Sequence, residues 1–526
     1  MTGLLPATLA VPAAMLLACL SPWVRARALW LLAFAPLPGL AAACFAGDGV
    51  ALVSDADHFR FGLAIDPPGA MLLGVAALLW SGAGAYAAAY LRDEPGQGRF
   101  AVAWLLTLTG SLGVFVAADL ASFYLLFALV SLAAWGLVVQ DGTARARHAG
   151  AVYLVLAVLG EISLLLAFAL LHAASPTDSL AIRDVMAALP ASPWRDLTIG
   201  LLILGFGLKA GLVPLHVWLP LAHPAAPMPA SAVLSGAIIK AGIIGLVRFL
   251  PFDDGGGWGE ALVVIGFVTA FYAVAVGITQ ANPKTILAYS SVSQMGVVVA
   301  VLGLGDVPGA VFYASHHVLA KGALFLGVGV VAACGRRWLW IVLLPVGVLA
   351  LGFGGLPLTG GALAKLAVKD AFGSGLPALL SYLSAAGTTL LMAHFLGRLR
   401  RMADPYAAAV PPFGLVVPWL GIAFAAVAVP WALFPGTVEE AVSPSEILSG
   451  SWPVALGLLL AVGLHRWGAA LPQLPEGDVL VLARHVAPVL TACGNALERA
   501  EAPMQRWSAA GVAMLGLAVA LAVSML

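Results

Sequence analysis

Residues Leu208–Phe249 read LKAGLVPLHVWLPLAHPAAPMPASAVLSGAIIKAGIIGLVRF. This stretch is long and apolar enough for two membrane-crossing helices, which need about 20 residues each. It nevertheless holds two lysines, Lys209 and Lys240, and five prolines. Proline removes a backbone donor, and a helix broken at membrane depth is tolerated where it lines a cavity. The stretch therefore predicts a helical membrane protein with a broken helix beside buried cations.

The composition of the whole chain favours the same class. Of its 526 residues, 62% are apolar and 10% charged, and the mean hydropathy is +1.02. Soluble domains carry about 25% charged residues, and disordered chains combine low hydrophobicity with high net charge, so both classes are excluded. A β-barrel of the outer membrane is excluded because its strands alternate apolar and polar residues. The apolar composition predicts the lipid bilayer as a partner. The formal net charge is 0, so we expect no nucleic acid as a partner.

Apolar segments that could cross the membrane recur along the chain and predict an all-α polytopic membrane protein. About 16 such segments begin near residues 3, 28, 69, 100, 119, 151, 198, 229, 259, 285, 307, 339, 375, 412, 450 and 507. Between the last two lies Ala469–Arg506, where charged and apolar residues mix. We interpret it either as an amphipathic stretch on the cytoplasmic surface or as an ordinary connector.

The connections between these segments mostly alternate in charge. The sixth is mixed and holds Arg183, Arg195, Asp178, Asp184 and Asp196. The basic ones hold Arg25 and Arg27; Arg92 and Arg99; Arg145 and Arg147; Lys284; Arg336 and Arg337; and Arg398, Arg400 and Arg401. The acidic ones hold Asp48, Asp55 and Asp57; Asp253, Asp254 and Glu260; Asp306; and Glu439, Glu440 and Glu446. Because basic loops stay in the cytoplasm, we predict a multi-pass protein of the bacterial cytoplasmic (inner) membrane with its N-terminus outside.

Four of the six lysines lie inside apolar segments, whereas nearly all of the 19 arginines lie in loops or at segment ends. The four are Lys209, Lys240, Lys321 and Lys365. A basic residue at mid-membrane costs about 2.5–3.5 kcal/mol on insertion scales, so four cost about 10–14 kcal/mol. A buried lysine can release its proton near neutral pH, whereas arginine effectively cannot. The pattern therefore indicates a route for protons, unless some of these lysines lie near segment ends and reach the surface.

Histidines and one acid add titratable groups to the same segments. His317 lies four residues before Lys321 and shares its helix face, and we expect both to belong to a proton relay. His216 and His316 are further candidates for the relay. Glu161, in YLVLAVLGEISLLLAF, is the single acid well inside a segment, and we interpret it as functional or as a protonated, hydrogen-bonded side chain. Asp66 precedes two prolines and is expected to cap a helix.

Two of the segments are predicted to be broken. Lys209 is followed by Pro214 and Pro220, and Lys365 is preceded by Pro357 and by a pair of glycines. Paired broken helices in two halves of a chain are typical of inverted-repeat transporters. The four cysteines are far apart, and the sequence has no phosphate loop, dinucleotide fingerprint or cluster motif. We therefore expect no metal, no cofactor and no catalytic site in this chain.

Four blocks of sequence resemble one known family. They are the stretch quoted above, KTILAYSSVSQMG at residues 284–296, HHVLAKGALFL at 316–326 and GLPLTGGALAK at 355–365. Together they resemble the antiporter-like subunits of respiratory complex I (chains L, M and N), the D-type subunit of Mrp-type Na⁺/H⁺ antiporters and the membrane subunits of energy-converting hydrogenases. The resemblance covers roughly residues 60–435, and the block around Pro229–Arg248 is more similar to chain M and the D-type subunit than to chain L.

The resemblance implies an architecture. It implies 14 core transmembrane helices, two inverted five-helix repeats, and broken helices 7 and 12, to which this chain adds about two C-terminal helices. The implied divisions are residues 1–98 (helices 1–3), 99–250 (first repeat), 251–398 (second repeat) and 399–526 (C-terminal helices with the connector). Lys209 matches a lysine that pairs with a glutamate in the family. Lys240 matches the central lysine of the eighth helix. His317 and Lys321 match the histidine and lysine of the central relay. Lys365 matches the terminal residue of the broken twelfth helix.

The chain departs from the family at one position. The fifth helix of the family carries the glutamate that pairs with the seventh-helix lysine, but the corresponding run SFYLLFALVSLAAW has Ala128 there. Either this half-channel has lost its switch or the carboxylate has moved. We favour relocation to Glu161 on the next helix.

Three functions follow from these features. The first is a proton-translocating subunit of a redox-driven complex of the complex I or hydrogenase type, with other membrane subunits and a redox or soluble module on the cytoplasmic side as partners. The second is a D-type component of a multisubunit Na⁺/H⁺ antiporter. The third is a membrane scaffold with altered conduction that serves a soluble enzyme.

Overall fold

A computed structural model describes residues 3–47, 51–56, 59–176, 179–252, 257–402, 410–468 and 471–480, together with 488, 491–492, 494–496 and 499. Residues Met1–Glu476 pack as one compact unit, and Gly477–Leu526 form a separate one. The sixteenth predicted segment, near residue 507, and most of the predicted amphipathic stretch lie outside the described residues.

The first half of the described chain is helical apart from one hairpin. Its elements are α1 (Leu4–Ala18), α2 (Pro22–Arg25), α3 (Leu37–Phe45), β1 (Ala51–Ala56), β2 (Phe59–Ala64), α4 (Pro67–Tyr90), α5 (Gln97–Gly113), α6 (Leu120–Val138), α7 (Ala144–Ala174), α8 (Ile182–Ala188), α9 (Arg195–Ala210), α10 (Trp218–Ala225), α11 (Met228–Val233) and α12 (Lys240–Phe249). Short 3₁₀ turns lie at Ala28–Leu31, Leu189–Ala191 and Leu215–Val217, and a π turn at Leu234–Ile238 joins α11 to α12.

The second half continues in the same way. Its helices are α13 (Trp258–Gly277), α14 (Pro283–Gly303), α15 (Val307–Ala332), α16 (Leu339–Gly354), α17 (Gly360–Ala367), α18 (Lys369–Phe372), α19 (Leu376–Arg400), α20 (Phe413–Leu433), α21 (Val438–Ala441) and α22 (Pro444–Trp467).

The long helices are those of a multi-pass membrane protein. Eleven stretches among the described residues are long and apolar enough to cross a bilayer, and α1 and α16 are shorter apolar helices. The helical fold class expected from the sequence is confirmed, whereas the number of 14 core helices and the residue limits of the repeats stay predictions. The sequence analysis did not predict the hairpin of β1 and β2, whose Gly62 carbonyl accepts a hydrogen bond from the Ala118 amide at 2.9 Å.

Three stretches form the centre of the bundle. The apolar window of α15 is 100% buried, and those of α14 and of the stretch from α11 to α12 are each 94% buried. By contrast, the window of α22 is 17% buried, so most of its surface faces away from the bundle. Lys240 and Lys321 therefore lie on the most enclosed of the described helices.

Two helices are broken where the sequence predicts it. Helix α9 ends at Gly211, whose φ of 85° is left-handed, and the chain resumes helical structure at Leu215. The indole of Trp218 donates to the Leu208 carbonyl at 3.0 Å and so pairs one group that the break frees. Helix α16 ends in the same way at Gly355, with a φ of 101°, and α17 begins at Gly360. Both breaks are confirmed.

Glycines bring α13 and α14 into backbone contact. A Cβ on Gly266 would lie 2.5 Å from the Gly296 carbonyl oxygen, and a Cβ on Gly296 would lie 2.5 Å from the Gly266 carbonyl oxygen. A second such contact joins Gly259 to Gly303. Only glycine permits this approach, so the seam fixes α14 against its neighbour.

An arginine clamp closes the ends of three helices. The Arg248 side chain at the end of α12 is 8% exposed and forms an ion pair with Asp66 at 3.0 Å. It also donates to the carbonyls of Val114, Phe115 and Ala117 at 3.0, 2.7 and 2.8 Å, just after α5. These carbonyls have no further turn of helix to pair with, so the guanidinium takes that role.

The same aspartate caps α4, as the sequence predicts. The Asp66 carboxylate accepts from the Gly69 amide at 2.7 Å. It therefore joins the start of α4 to the clamp.

We expect Arg248→Gln to destabilise the protein by about 2–3 kcal/mol, because it leaves the carbonyls and the Asp66 charge without their partner. Thermal unfolding in detergent would measure the loss as a lower midpoint. Arg183→Gln is the matched control, because the Arg183 side chain is 92% exposed and its ion pair is with its sequence neighbour Asp184. Equal midpoints for the two variants would contradict the role of the clamp.

Candidate functional site

The four predicted lysines all lie on helices of the bundle. Lys209 (4% exposed), Lys240 (0%) and Lys321 (0%) are buried on α9, α12 and α15, whereas Lys365 on α17 is half-buried. Within the described part of the chain, no carboxylate lies within ion-pair distance of any of them. The direct hydrogen-bond partners of these amines are therefore neutral groups.

The first group of side chains surrounds Lys209. The Lys209 amine donates to the Tyr153 hydroxyl at 3.3 Å and lies 5.8 Å from the centre of the Phe127 ring. The Tyr153 hydroxyl donates in turn to the Ser131 carbonyl at 2.6 Å. The tyrosine thus links the lysine of α9 to the backbone of α6.

Glu161 lies in the same region but does not pair directly with the lysine. Its side chain is 6% exposed, and neither carboxylate oxygen has a hydrogen-bond partner among the described residues. It interacts electrostatically with Lys209 and lies close to Ser131. The predicted switching pair therefore has a tyrosine and a serine beside it, and no direct contact in this conformation.

The centre of the bundle holds the shortest contact between two titratable groups of the site. Lys240 Nζ and His317 Nδ1 lie 2.6 Å apart, and both side chains are fully buried. Lys240 also donates to the Ser235 carbonyl at 3.4 Å, within the π turn that precedes it. A lysine and a histidine at this distance can share one proton, since either nitrogen is a donor when protonated.

Lys321 continues this central group one helical turn beyond His317. Its amine donates to the Leu287 carbonyl of α14 at 3.2 Å and lies 4.8 Å from the centre of the Phe353 ring. The helix face that His317 and Lys321 share in the prediction is therefore turned towards the core. The π face of Phe353 supplies the weak electrostatic attraction of a cation–π contact.

A third group surrounds Lys365 after the second helix break. The Lys365 amine donates to the Tyr313 hydroxyl at 3.4 Å, and Tyr313 donates to the Gln294 side chain at 2.7 Å. Gln294 donates to Thr388 at 2.9 Å. The terminal lysine thus begins a chain of hydrogen bonds that crosses from α15 to α19.

The two further histidines lie near these groups. His316 is buried with its ring 5.3 Å from that of Phe353 and packs against the glycines at the start of α17, between the central group and Lys365. His216 is buried between the rings of Tyr272 and Tyr289, at 5.4 and 6.0 Å.

Sequence reasoning missed the tyrosines. Tyr153 and Tyr313 each accept from the lysine of a broken helix, and each lies eight residues before an intramembrane charge, Glu161 or Lys321. This shared spacing of eight residues could have identified both tyrosines as site residues in the sequence. A third omission is His223, which is buried and stacked at 4.5 Å on Phe325, with electrostatic interactions to Lys284 and Lys321.

These features define a multi-pass helical membrane protein with a series of amines in its core. The profile of the family described as "NADH:quinone oxidoreductase/Mrp antiporter, TM" matches residues 117–390. The chain belongs to this family.

Individual relatives agree with this assignment. The chain is 31% identical over 313 residues to "Hydrogenase-4 component B" of Escherichia coli (strain K12), covering 54% of this chain and 46% of that protein. The chain thus spans about half the length of this curated relative.

Among solved structures, the Mrp complex from Dietzia sp. DQ12-45-1b matches with a TM-score of 0.76 and 23% identity over 99% of this chain and 62% of that chain. The membrane-bound sulfane sulfur reductase, an archaeal respiratory complex, matches with a TM-score of 0.70 and 21% identity over 99% of each chain. At these identities the two structures show the shared fold.

Proposed function

We propose that this chain is a proton-translocating subunit of a multisubunit membrane complex, driven by a redox module as in complexes of the complex I or hydrogenase type. The observation that carries this proposal is the buried Lys240–His317 contact of 2.6 Å, with further lysines on either side of it along the bundle. The partners are other membrane subunits and a redox or soluble module on the cytoplasmic side. The role proposed for this chain is to supply the proton path.

The proposed path runs from one helix break to the other. Protons enter at Lys209, pass through Lys240, His317 and Lys321, and leave at Lys365. The first step is supported by the contact of α9 with α12, where a Cβ on Gly242 would lie 2.7 Å from the Ala210 backbone nitrogen.

The later steps are supported by side chains between the groups. His316 packs against the start of α17 and offers a place between Lys321 and Lys365. His216 is a further candidate near the entrance. The tyrosines hold the entry and exit amines in place.

A second candidate is a subunit of a Na⁺/H⁺ antiporter, because the fold matches a chain of the Mrp complex. The two candidates differ in their energy source. Proton transport driven by an imposed Na⁺ gradient, with no electron donor present, would favour the antiporter. A scaffold role remains as a third candidate because Ala128 stands where the family has its glutamate.

The lysines can be tested one at a time in the reconstituted complex. We expect Lys→Ala at 209, 240, 321 or 365 to leave assembly intact and to lower proton transport on the order of 10²-fold, as loss of an acid–base group does. Lys→Arg should also impair transport, because arginine holds its proton at accessible pH. Proton uptake into vesicles would be measured, with exposed Arg183→Ala as the control for loss of one charge. Full transport by two or more of the four alanine variants would overturn the relay.

The relocation of the carboxylate has its own test. We propose that Glu161 acts as the counter-charge of Lys209, close enough to interact and reachable through Ser131 and Tyr153. Glu161→Gln should lower proton transport, and Ala128→Glu in that background should restore part of it, because position 128 lies one turn before Ser131 on α6. Ala133→Glu is the matched control, because it makes the same change five residues further along α6, on a different face of the helix. Normal transport by Glu161→Gln would refute the relocation.

We also propose that the ends of α7 and α14 near Arg145 and Lys284 face the bacterial cytoplasm and that the N-terminus lies outside. Glu476 contacts both Arg145 (2.5 Å) and Thr285 (2.9 Å), so these ends share one side. The basic connections favour the cytoplasm for that side.

Single cysteines test this orientation. Cysteines at Arg145 and Arg336 should react with an impermeant thiol reagent added from the cytoplasmic side, and one at the exposed Glu260 from the outer side. The reverse labelling at any two of these positions would contradict the topology.

A further inference from the structure

A cavity of about 110 Å³ lies beside the second helix break, at the end of the proposed relay. Its walls come from the break itself, from α17 to α19 and from α22, and its polar lining includes Lys365, Lys369, Ser381, Tyr382, Glu446 and Ser449. A volume of this size with several polar partners holds a few water molecules.

The cavity explains why Lys365 differs from the other three lysines. Lys209, Lys240 and Lys321 are buried, whereas Lys365 is half-buried and lines the cavity. Its amine therefore has the Tyr313 hydroxyl on one side and space for water on the other. Among the four, this lysine is the one placed to exchange a proton with water.

An ion pair lies at the rim of the cavity. Lys369 lies one turn beyond Lys365, nearer the end of the broken helix, and its amine contacts the Glu446 carboxylate of α22 at 2.5 Å. The Lys369 side chain is 41% exposed and that of Glu446 19% exposed, so the pair lies at the rim. The other carboxylate oxygen of Glu446 accepts from Ser449 at 3.1 Å, which fixes its direction.

We propose that the Lys369–Glu446 pair is the gate between Lys365 and water at the surface, with α22 as the wall that carries one half of it. When the pair is formed, it narrows the way from the cavity to the surface and slows the exchange of the Lys365 proton. When the pair parts, water connects the amine to the surface and the proton leaves. This proposal rests on the proposed function, because it specifies how the exit of the same path is controlled.

Access to position 365 can be measured without transport. In the full chain within its complex, Cys19, Cys44, Cys334 and Cys493 are replaced by serine, and Lys365→Cys is introduced. A small impermeant methanethiosulfonate reagent is then added from the side that carries Glu446. We expect Glu446→Gln to raise the labelling rate about two- to fivefold, the range expected from the loss of a partly exposed ion pair.

Two further variants sharpen the test. Glu439→Gln removes the same charge from an exposed position of α21 and should leave the labelling rate unchanged. The exchange Lys369→Glu with Glu446→Lys restores the pair with reversed charges and should return the rate to its original value. A rate that is the same in the Glu446→Gln and Glu439→Gln variants, or a cysteine at 365 that is not labelled in either, would overturn the gate. The transport assays on Lys209, Lys240 and Lys321 would be unaffected by that outcome, so failure of the gate and failure of the relay are distinguishable.

Discussion

An amine in an apolar interior must replace its lost water with other dipoles, and the architecture of this protein follows from that requirement. Lys209 is stabilised by a tyrosine hydroxyl, Lys240 by a histidine and a carbonyl, and Lys321 by a carbonyl and a ring face. In the part of the chain that the structure describes, no partner of these three is a direct counter-ion. Neutral partners do not fix the charge on any one amine as a carboxylate would.

The lysines of the two broken helices, Lys209 and Lys365, each have a tyrosine hydroxyl as a polar partner. In each, a lysine donates to a tyrosine of an earlier helix, Tyr153 of α7 or Tyr313 of α15, at 3.3 and 3.4 Å. The two cases differ at the residue two turns after the tyrosine. This residue is Glu161 after Tyr153 and Lys321 after Tyr313. Lys209 interacts electrostatically with the nearby Glu161. The two breaks therefore share a lysine–tyrosine contact but differ in the charged residue that follows the tyrosine in the sequence.

Much of this could be predicted from the sequence, because charges and prolines stand out against an apolar background. Lys209, Lys365 and both helix breaks were identified in this way. Tyr153 and Tyr313 were not, because a tyrosine in an apolar helix has the pattern of an ordinary core residue, and its hydroxyl partner comes from a distant part of the chain. The Lys240–His317 distance was equally beyond the sequence, since 77 residues separate the two and only packing brings them together.

The glycine seam between α13 and α14 has a consequence for how this sequence can vary. Lys321 relies on the Leu287 carbonyl, and the position of that carbonyl depends on where α14 sits against α13. Alanine at Gly266 or Gly296 would push the helices apart although neither glycine carries a proton or touches a lysine. A library of random variants should therefore lose folding stability at Gly266 and Gly296 with no change in any charge.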